Sequence, residues 1–313
     1  MTETETITAR AYTSIANLGW GLDAFGVCVD AASDVVEVRT GGSGLEIEVT
    51  GPAVAGIPTE PERNTAGRAV AALMRAHDVR RPVRMRIRKG TRPGSGLGSS
   101  AASAAAAVVA TDALFGLNLP REALVGFAAE GERAAAGAAH ADNVAASICG
   151  GFTIVSDGRP PRLVTLEPPA SLRFVVVTPH VEVRTSRARA ALPETVAIAD
   201  YARGGARCGA IVAAILSGDA AALGRAIDGS FVDACRAPFI PGYDRVCAAA
   251  REAGATGVVI SGAGPTLAAV VGLETDVDGV VQAMTEAFAA AGVASDGRVA
   301  RVAGGARIVE ERA

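Results

Sequence analysis

Hydrophobic and polar residues alternate over much of the first 90 positions, and this pattern predicts β-strands. The clearest case is VRMRIRK at 83–89, where Val83, Met85 and Ile87 share one face and basic side chains take the other. Short runs rich in β-branched residues, separated by glycine and proline, predict further strands at 5–14, 23–30, 33–40 and 44–50.

The pattern changes to helical spacing after residue 63, and strands return later in the chain. Helices are predicted at 64–78, 99–115, 121–135 and 141–149, followed by a strand in 150–158. Beyond a proline-rich stretch at 158–172, the order is strand 173–179, a long helical region 194–228, helix 242–253, strands 256–262 and 267–272, helix 276–291 and strand 297–304. The sequence therefore predicts two α+β domains with a cleft between them and a boundary near 155–170.

Composition narrows the class of protein. The 313 residues carry a net charge of −3, whereas nucleic-acid-binding domains are usually basic. No apolar run reaches the roughly 18 residues that a membrane span needs, and the acidic, polar N-terminus does not resemble a signal peptide. Five singly scattered cysteines suit a reducing compartment and buried packing roles. We therefore expect a cytoplasmic globular protein that binds neither nucleic acid nor membrane.

The sequence RPGSGLGSSAASAAAA at 92–107 places three glycines directly before an alanine-rich helix. Gly94, Gly96 and Gly98 can adopt positive φ and let a ligand approach the backbone, and the following helix directs unpaired N–H groups toward the same point. The spacing differs from the Walker A motif, which needs lysine before Ser/Thr, and from GxGxxG, because position 99 is serine. Two interpretations stay open from the loop alone: a tight turn without a ligand, or a cradle for an anion.

Lys89 is the only lysine in the chain, so a mechanism that requires lysine has one candidate. It stands at the end of the strand that leads into the glycine loop. From the sequence, its side chain either neutralises phosphate charge or is solvated.

Three segments resemble the signatures of the GHMP kinases (galactokinase, homoserine kinase, mevalonate kinase and phosphomevalonate kinase). PGSGLGSSAA at 93–102 is similar to their phosphate-binding loop, ANLGWGLDAFG at 16–26 to an N-terminal signature of homoserine kinases, and GVVISGAGPTLAAV at 257–270 to the third family motif. The resemblance implies an α+β, two-domain GHMP kinase fold. Its N-terminal ATP-binding domain (1–160) would be of the ribosomal-protein-S5-domain-2-like type, and its C-terminal domain (161–313) a ferredoxin-like α/β sandwich.

The same resemblance implies a site for ATP and Mg²⁺. In the family the loop wraps the ATP phosphates, and an asparagine in the preceding helix corresponds to Asn64. Ser100 and Glu132 would hold Mg²⁺, since both supply hard oxygen ligands. The implied ATP contacts are Asn64, Pro93, Gly94, Ser95, Gly96, Leu97, Gly98, Ser99, Ser100, Ala101, Ala102 and Ser103.

Polar segments between the motifs are similar to those of homoserine kinases, at 131–152, 184–193 and 236–243. The resemblance implies ATP-dependent phosphorylation of the hydroxyl of L-homoserine in threonine biosynthesis. Asp23 and Asn17 would face its amino group and hydroxyl, and two arginines its carboxylate. The substrate-binding residues implied in this way are Asn17, Asp23, His140, Thr185, Arg189, Arg236 and Gly262, and the catalytic residues are Asn143, Glu132 and Ser100.

Several alternatives stay open from the sequence. The acceptor is either homoserine or another small alcohol or hydroxy acid, and a catalytically silent nucleotide-binding relative is a further alternative. Asp142 is either a general base or the N-cap of a helix that begins at Asn143. Without a dedicated base, the substrate proton would pass to the transferred phosphoryl group. The family resemblance also implies a homodimer.

Overall fold

The structure is a computed structural model that describes residues 5–51, 54, 56–136, 141–156 and 161–309. The strands are β1 (Thr6–Ala16), β2 (Phe25–Thr40), β3 (Leu45–Thr50), β4 (Val83–Arg88), β5 (Phe152–Ser156), β6 (Arg162–Leu166), β7 (Arg173–Pro179), β8 (Gly257–Ile260), β9 (Leu267–Val271), β10 (Ser295–Arg301) and β11 (Arg307–Ile308). The helices are α1 (Thr65–Ala76), α2 (Ser99–Phe115), α3 (Arg121–Ala136), α4 (Asp142–Cys149), α5 (Thr185–Ala190), α6 (Ile198–Ser217), α7 (Ala220–Ile227), α8 (Phe231–Arg236), α9 (Tyr243–Glu252) and α10 (Val277–Ala290).

The first sheet contains the alternating segments of the N-terminal part of the chain. Within the described residues its strand order is β11-β1-β2-β4-β3, and β5 pairs with both β2 and β6. The β3–β4 pair is parallel and the other pairs are antiparallel. Helices α1 to α4 share one hydrophobic core with this sheet.

Helix α2 lies in the middle of that core. The side chains of Ala104, Ala105, Ala106 and Ala107 are completely buried. Alanine combines a high helix propensity with a small side chain, so this helix can lie close to the sheet. Its N-terminal end is thereby held at the end of β4, where the glycine loop leaves the sheet.

The second sheet has the order β10-β7-β9-β8, and its pairs are antiparallel. The chain runs through it as β7, helices, β8, β9, α10 and β10, which is the β-α-β-β-α-β order of a ferredoxin-like domain. Helices α9 and α10 share a core cluster with this sheet.

A third core cluster joins the two sheets. Phe25 and Phe152 make an edge-to-face ring contact with centroids 5.1 Å apart in the first sheet. Phe174 of β7 and Ile211 of α6 belong to the same cluster, and both are completely buried. Trp20 also packs in this cluster. The two halves of the chain therefore share one interior.

Several predicted elements differ from those observed. The helical region 194–228 divides into α6 and α7, because Gly218 has φ +67° and Asp219 caps the next helix by accepting from Ala222 N at 2.8 Å. The proline-rich stretch contains β6, and α5 and α8 were not predicted. The predicted boundary at 160/161 stays a prediction. Residues 157–160 lie outside the described ranges, and β6 and β11, which follow the boundary, pair within the first sheet.

All five cysteines are free, and Cys28 and Cys247 are buried, which confirms the packing role expected for these two. In the described part of the chain, no helix is long and apolar enough to cross a membrane.

Candidate active site

The glycine loop connects β4 to α2. Gly94, Gly96 and Gly98 have φ of +68°, +85° and +62°, a backbone region that glycine adopts without strain. At Gly98, a Cβ atom would collide with Ser14 Oγ and lie 2.8 Å from Asn143 Oδ1. This position therefore requires glycine both for its conformation and for its close approach to neighbouring side chains.

The turn between β8 and β9 holds this loop in place. Thr266 Oγ1 donates to the carbonyl of Ser95 at 2.6 Å, and Ser261 Oγ donates to the carbonyl of Gly96 at 2.7 Å. The segment 257–270, which resembles the third family motif, thus lies directly against the glycine loop, although 165 residues separate Gly96 from Ser261. The Ser14 backbone N–H also donates to the carbonyl of Leu97 at 3.2 Å, so both halves of the chain hold the loop by hydrogen bonds.

A cavity of about 480 Å³ opens beside the loop and brings most of the predicted site residues together. The exceptions are Leu97 and Ala102, whose side chains are buried in the interior, so their predicted contact with ATP rests on backbone groups. His140 lies outside the described residues. The predicted residues that line the cavity are Asn17, Asp23, Asn64, Pro93, Gly94, Ser95, Gly96, Gly98, Ser99, Ser100, Ala101, Ser103, Glu132, Asn143, Thr185, Arg189, Arg236 and Gly262.

Ser100 and Glu132 meet at the N-terminal end of α2. Ser100 Oγ donates to Glu132 Oε2 at 3.2 Å, and the Glu132 side chain is buried. One carboxylate and one hydroxyl are hard oxygen donors of the kind that Mg²⁺ accepts together with phosphate oxygens and water. In the part of the chain that the structure describes, no group of three or more His, Cys, Asp or Glu could hold a metal. The donor set therefore fits a Mg²⁺ ion that arrives with a phosphate ligand.

Asn143 is held between Ser14 and Asp142. Ser14 Oγ donates to Asn143 Oδ1 at 2.9 Å, and the Asn143 backbone N–H donates to Asp142 Oδ1 at 2.8 Å. Helix α4 begins at Asp142 and its N-cap position is Ala141, so the N-cap alternative for Asp142 is wrong by one residue. The buried carboxylate instead accepts from an N–H of the first helical turn.

Asp23 and Arg189 form a two-bond ion pair in the cavity. Arg189 Nη1 donates to Asp23 Oδ2 at 2.8 Å and Nη2 donates to Oδ1 at 2.5 Å. The hydrogen bonds from this guanidinium to Asp23 raise the pKa of Arg189. Asn17 Oδ1 accepts from the Asp23 backbone N–H at 3.1 Å, which holds the aspartate at a positive φ of 61°.

Arg236 also lines the cavity and is only 4% exposed. Its Nη1 donates to the carbonyl of Gly262 at 2.7 Å, and Asn17 Nδ2 donates to the same carbonyl at 2.8 Å. Burial lowers the pKa of Arg236, and its Nε has no hydrogen-bond partner. The guanidinium therefore keeps donors that a bound anion could satisfy.

Comparison with known proteins agrees with this arrangement. A family model described as GHMP kinases N terminal domain matches residues 64–151, and one described as GHMP kinases C terminal matches 211–290. The homoserine kinase of Methanocella arvoryzae is 39% identical over 97% of this chain and 98% of its own length, and that of Halorubrum lacusprofundi is 42% identical over 97% and 100%.

The chain belongs to the homoserine kinase family of GHMP kinases. The crystal structure of homoserine kinase from Cytophaga hutchinsonii is similar to it, with a TM-score of 0.91, 34% sequence identity and 99% of both chains covered. The family and the two-domain fold expected from the three motifs are confirmed.

One prediction for this GHMP kinase needs correction. Lys89 is 4% exposed, so the solvated alternative is wrong. Its ammonium forms an ion pair with the completely buried Asp34 and donates to Ser99 O at 2.6 Å and Ser103 Oγ at 2.8 Å. Because these three acceptors match its three N–H donors, its charge is compensated inside the protein rather than reserved for phosphate.

Sequence reasoning about this family member missed the residues that position others. Ser14 holds Asn143, Asp34 binds the lysine below α2, and Ser261 and Thr266 hold the glycine loop. Each of these polar residues lies within, or directly beside, a segment whose other residues predict a buried strand. That contrast is the signal that could have identified them.

Proposed function

We propose that this protein transfers the γ-phosphoryl group of ATP to the side-chain hydroxyl of L-homoserine, a step of threonine biosynthesis. The observation that carries the proposal is a single cavity lined by the glycine loop as well as by Asp23, Arg189 and Arg236. The loop suits an anionic phosphate chain, and the charged set suits an amino acid with one ammonium and one carboxylate. The relatives named homoserine kinase support the same acceptor.

ATP binds with its phosphates against residues 93–103. The N-terminal end of α2 favours negative charge there, since its first N–H groups lack partners within the helix. Asn64 serves the adenine side. Its Oδ1 accepts from Gly67 N at 3.1 Å and its Nδ2 donates to Pro58 O at 2.7 Å, which leaves a second N–H for the base.

Ser100 and Glu132 hold Mg²⁺ through their side-chain oxygens, in agreement with the hydroxyl–carboxylate contact between them. The ion supplies neutralisation of the charge on the β- and γ-phosphates. The role of Glu132 is to keep a buried negative charge directed at this point of the cavity.

Homoserine binds through its two charged groups. Its carboxylate accepts from Arg189 and Arg236, and its ammonium donates to Asp23. In the free protein Asp23 and Arg189 neutralise each other, and both side chains are more than one third exposed. Binding replaces their ion pair by one pair of each residue with the substrate, so neither charge is left unpaired. Thr185, His140 and Gly262 complete the proposed acceptor site.

The hydroxyl attacks the γ-phosphorus in line with the leaving β-phosphate oxygen. Asn143 positions this hydroxyl, because its own side chain is fixed by Ser14. Asp142 already accepts a hydrogen bond from the Asn143 backbone N–H in the first turn of α4. We therefore propose that Asp142 orients Asn143 and does not remove the proton of the substrate hydroxyl. The proton passes to the transferred phosphoryl group, as a loose phosphoryl-transfer transition state makes little demand on a base.

The proposed reaction belongs in the cytoplasm, which agrees with five free cysteines. We propose a homodimer as the working state, in line with the family resemblance. Light scattering on the purified protein at several concentrations tests the assembly.

A coupled assay of ADP release tests the reaction, with homoserine, mevalonate, shikimate and pantoate offered separately. Homoserine should give the highest kcat/KM. Another preferred acceptor would refute the substrate, and no turnover with any of them would favour a silent nucleotide-binding protein. Glu132→Ala should abolish turnover, whereas Glu130→Ala serves as the matched control, since Glu130 is on the same helix but partly exposed and paired with Arg68 and Arg133.

A further inference from the structure

Asp233 is a buried carboxylate that the reaction does not use directly. It lies in α8, one helical turn before Arg236, and is 6% exposed. Its Oδ2 accepts a hydrogen bond from the backbone N–H of Ile260 at 3.3 Å. Ile260 is the last residue of β8 and leads directly into Ser261 and Gly262, which contact the loop and Arg236.

We propose that Asp233 is a positioning residue for acceptor recognition: its carboxylate holds α8 against the end of β8 and so places the Arg236 guanidinium in the acceptor site. The proposal rests on the proposed function, in which Arg236 binds the carboxylate of homoserine. It adds a residue that acts through Arg236 without contacting the substrate.

The geometry of α8 makes such an anchor necessary. The helix has six residues, too few to be stable by its own hydrogen bonds. At its start, Ser230 Oγ accepts from Val232 N at 3.1 Å and donates to Gly19 O at 2.8 Å. At the other end of the helix, the Arg236 guanidinium has to donate hydrogen bonds to the substrate carboxylate. The Asp233–Ile260 hydrogen bond joins the middle of the helix to the end of β8.

Electrostatics connects the same residue to Arg236. Burial raises the pKa of Asp233 to about 7, and the positive charge of Arg236 opposes this shift. In return, the ionised carboxylate favours the charged form of Arg236, whose pKa burial lowers. Ionised Asp233 is also the stronger hydrogen-bond acceptor. The anchor is therefore firmest above about pH 7, where the carboxylate is ionised, and weakens as the pH falls and it takes up a proton.

Other charged or titratable groups lie around Asp233 on the neighbouring helices. Asp228, at the end of α7, raises the pKa of Asp233 and is itself paired with Arg251 at 2.8 Å. On α9, burial raises the pKa of Cys247 to about 12 and that of Tyr243 beyond its usual range, so both stay neutral near pH 7. Of Asp233, Tyr243 and Cys247, only Asp233 has a pKa near 7.

The test is the KM for homoserine at saturating ATP, measured between about pH 6 and about pH 8. For the wild type we expect the KM for homoserine to be about tenfold lower at about pH 8 than at about pH 6, with kcat changed less than about twofold. A tenfold change in KM corresponds to the free energy of about one charge-assisted hydrogen bond. Asp233→Asn keeps the shape and an acceptor for Ile260 but removes the charge. At every pH tested, the KM of the Asp233→Asn variant should stay near the KM that the wild type has at about pH 6.

Asp228→Asn is the matched control, because it removes a nearby carboxylate that is paired with Arg251 rather than with the backbone of Ile260. It should lower the pKa of Asp233 and move the midpoint of the KM profile by roughly half a pH unit toward acid, with KM unchanged above pH 7.5 or so. An Asp233→Asn profile equal to that of the wild type would overturn the assignment. The assignment would also be overturned if Asp233→Asn lowered the thermal stability and kcat and raised the KM for ATP as well as the KM for homoserine. Such a result is expected of a residue that only supports the fold. Wild-type protein that turns over ATP only with another acceptor would overturn the proposed function and this proposal with it.

Discussion

Replacement of Lys89 by methionine is expected to destabilise the protein strongly. The ammonium of Lys89 forms a buried ion pair with Asp34, and the Asp34 side chain is 0% exposed. Methionine fills a similar volume, so little packing is lost, but the aspartate is left as a buried charge without its cation. Removal of one partner from such a pair costs about 3–5 kcal/mol. In a protein of this size that corresponds to a fall in Tm of about 6 °C.

A double-mutant cycle measures this interaction directly. Lys89→Met, Asp34→Asn and the double variant are compared with the wild type in urea unfolding at pH 7, monitored by circular dichroism. Each single variant leaves one unpaired charge, whereas the double variant leaves none. The double variant should therefore lose about 2 kcal/mol less than the sum of the two single losses, as expected for residues in contact. The m-value should stay constant across the set.

An exposed ion pair on the same strand provides the control. Arg86 Nε donates to Glu48 Oε2 at 3.0 Å, and both side chains are more than half exposed. Arg86→Met should cost less than about 1 kcal/mol, because water solvates and screens such a pair. The reasoning is refuted if Lys89→Met costs no more than Arg86→Met, or if the losses in the cycle simply add.

Three further outcomes follow from the geometry. Gly98→Ala should lower kcat/KM about 100-fold, because a Cβ there collides with Ser14 Oγ at a positive φ; Gly116→Ala, at φ +59° with open space around it, should leave kcat/KM unchanged, and equal effects would contradict the argument. Arg189→Met should raise the KM for homoserine about 100-fold with a smaller change in kcat, and an unchanged KM would remove Arg189 from the acceptor site. Burial raises the pKa of Cys28 to about 12, so at about pH 8 mass spectrometry should find this thiol unlabelled by a thiol reagent in native protein and labelled in urea; rapid native labelling would contradict its burial.

Local patterns predicted most of the secondary structure. The bounds 173–179 for β7 and 99–115 for α2 are confirmed, because a run of β-branched residues favours a strand and a run of alanines favours a helix. The site was also predictable in outline, since its glycine loop requires a specific backbone conformation at specific positions. Errors occurred where the signal was weak: β6 stands among prolines, and the break between α6 and α7 depends on a single glycine.

The contacts between site residues were not predictable in this way. Asp23 and Arg189 both carried an expected role toward the substrate, yet nothing local shows that they pair across 166 residues. The same holds for Ser14 with Asn143. A side chain selects its partner by distance and burial in the folded chain, and sequence spacing does not record either.

The sequence alone determined the class of fold, the position of the glycine loop and the residues that carry charge, because each depends on residue type and local periodicity. The tertiary structure decided what those charges do. It buried Lys89 with Asp34 below α2, and it left Arg236 with unused donors in the cavity and Asp233 behind it. Burial removes a charge from water, and the partner within reach then decides whether the group anchors the fold or stays available to a ligand.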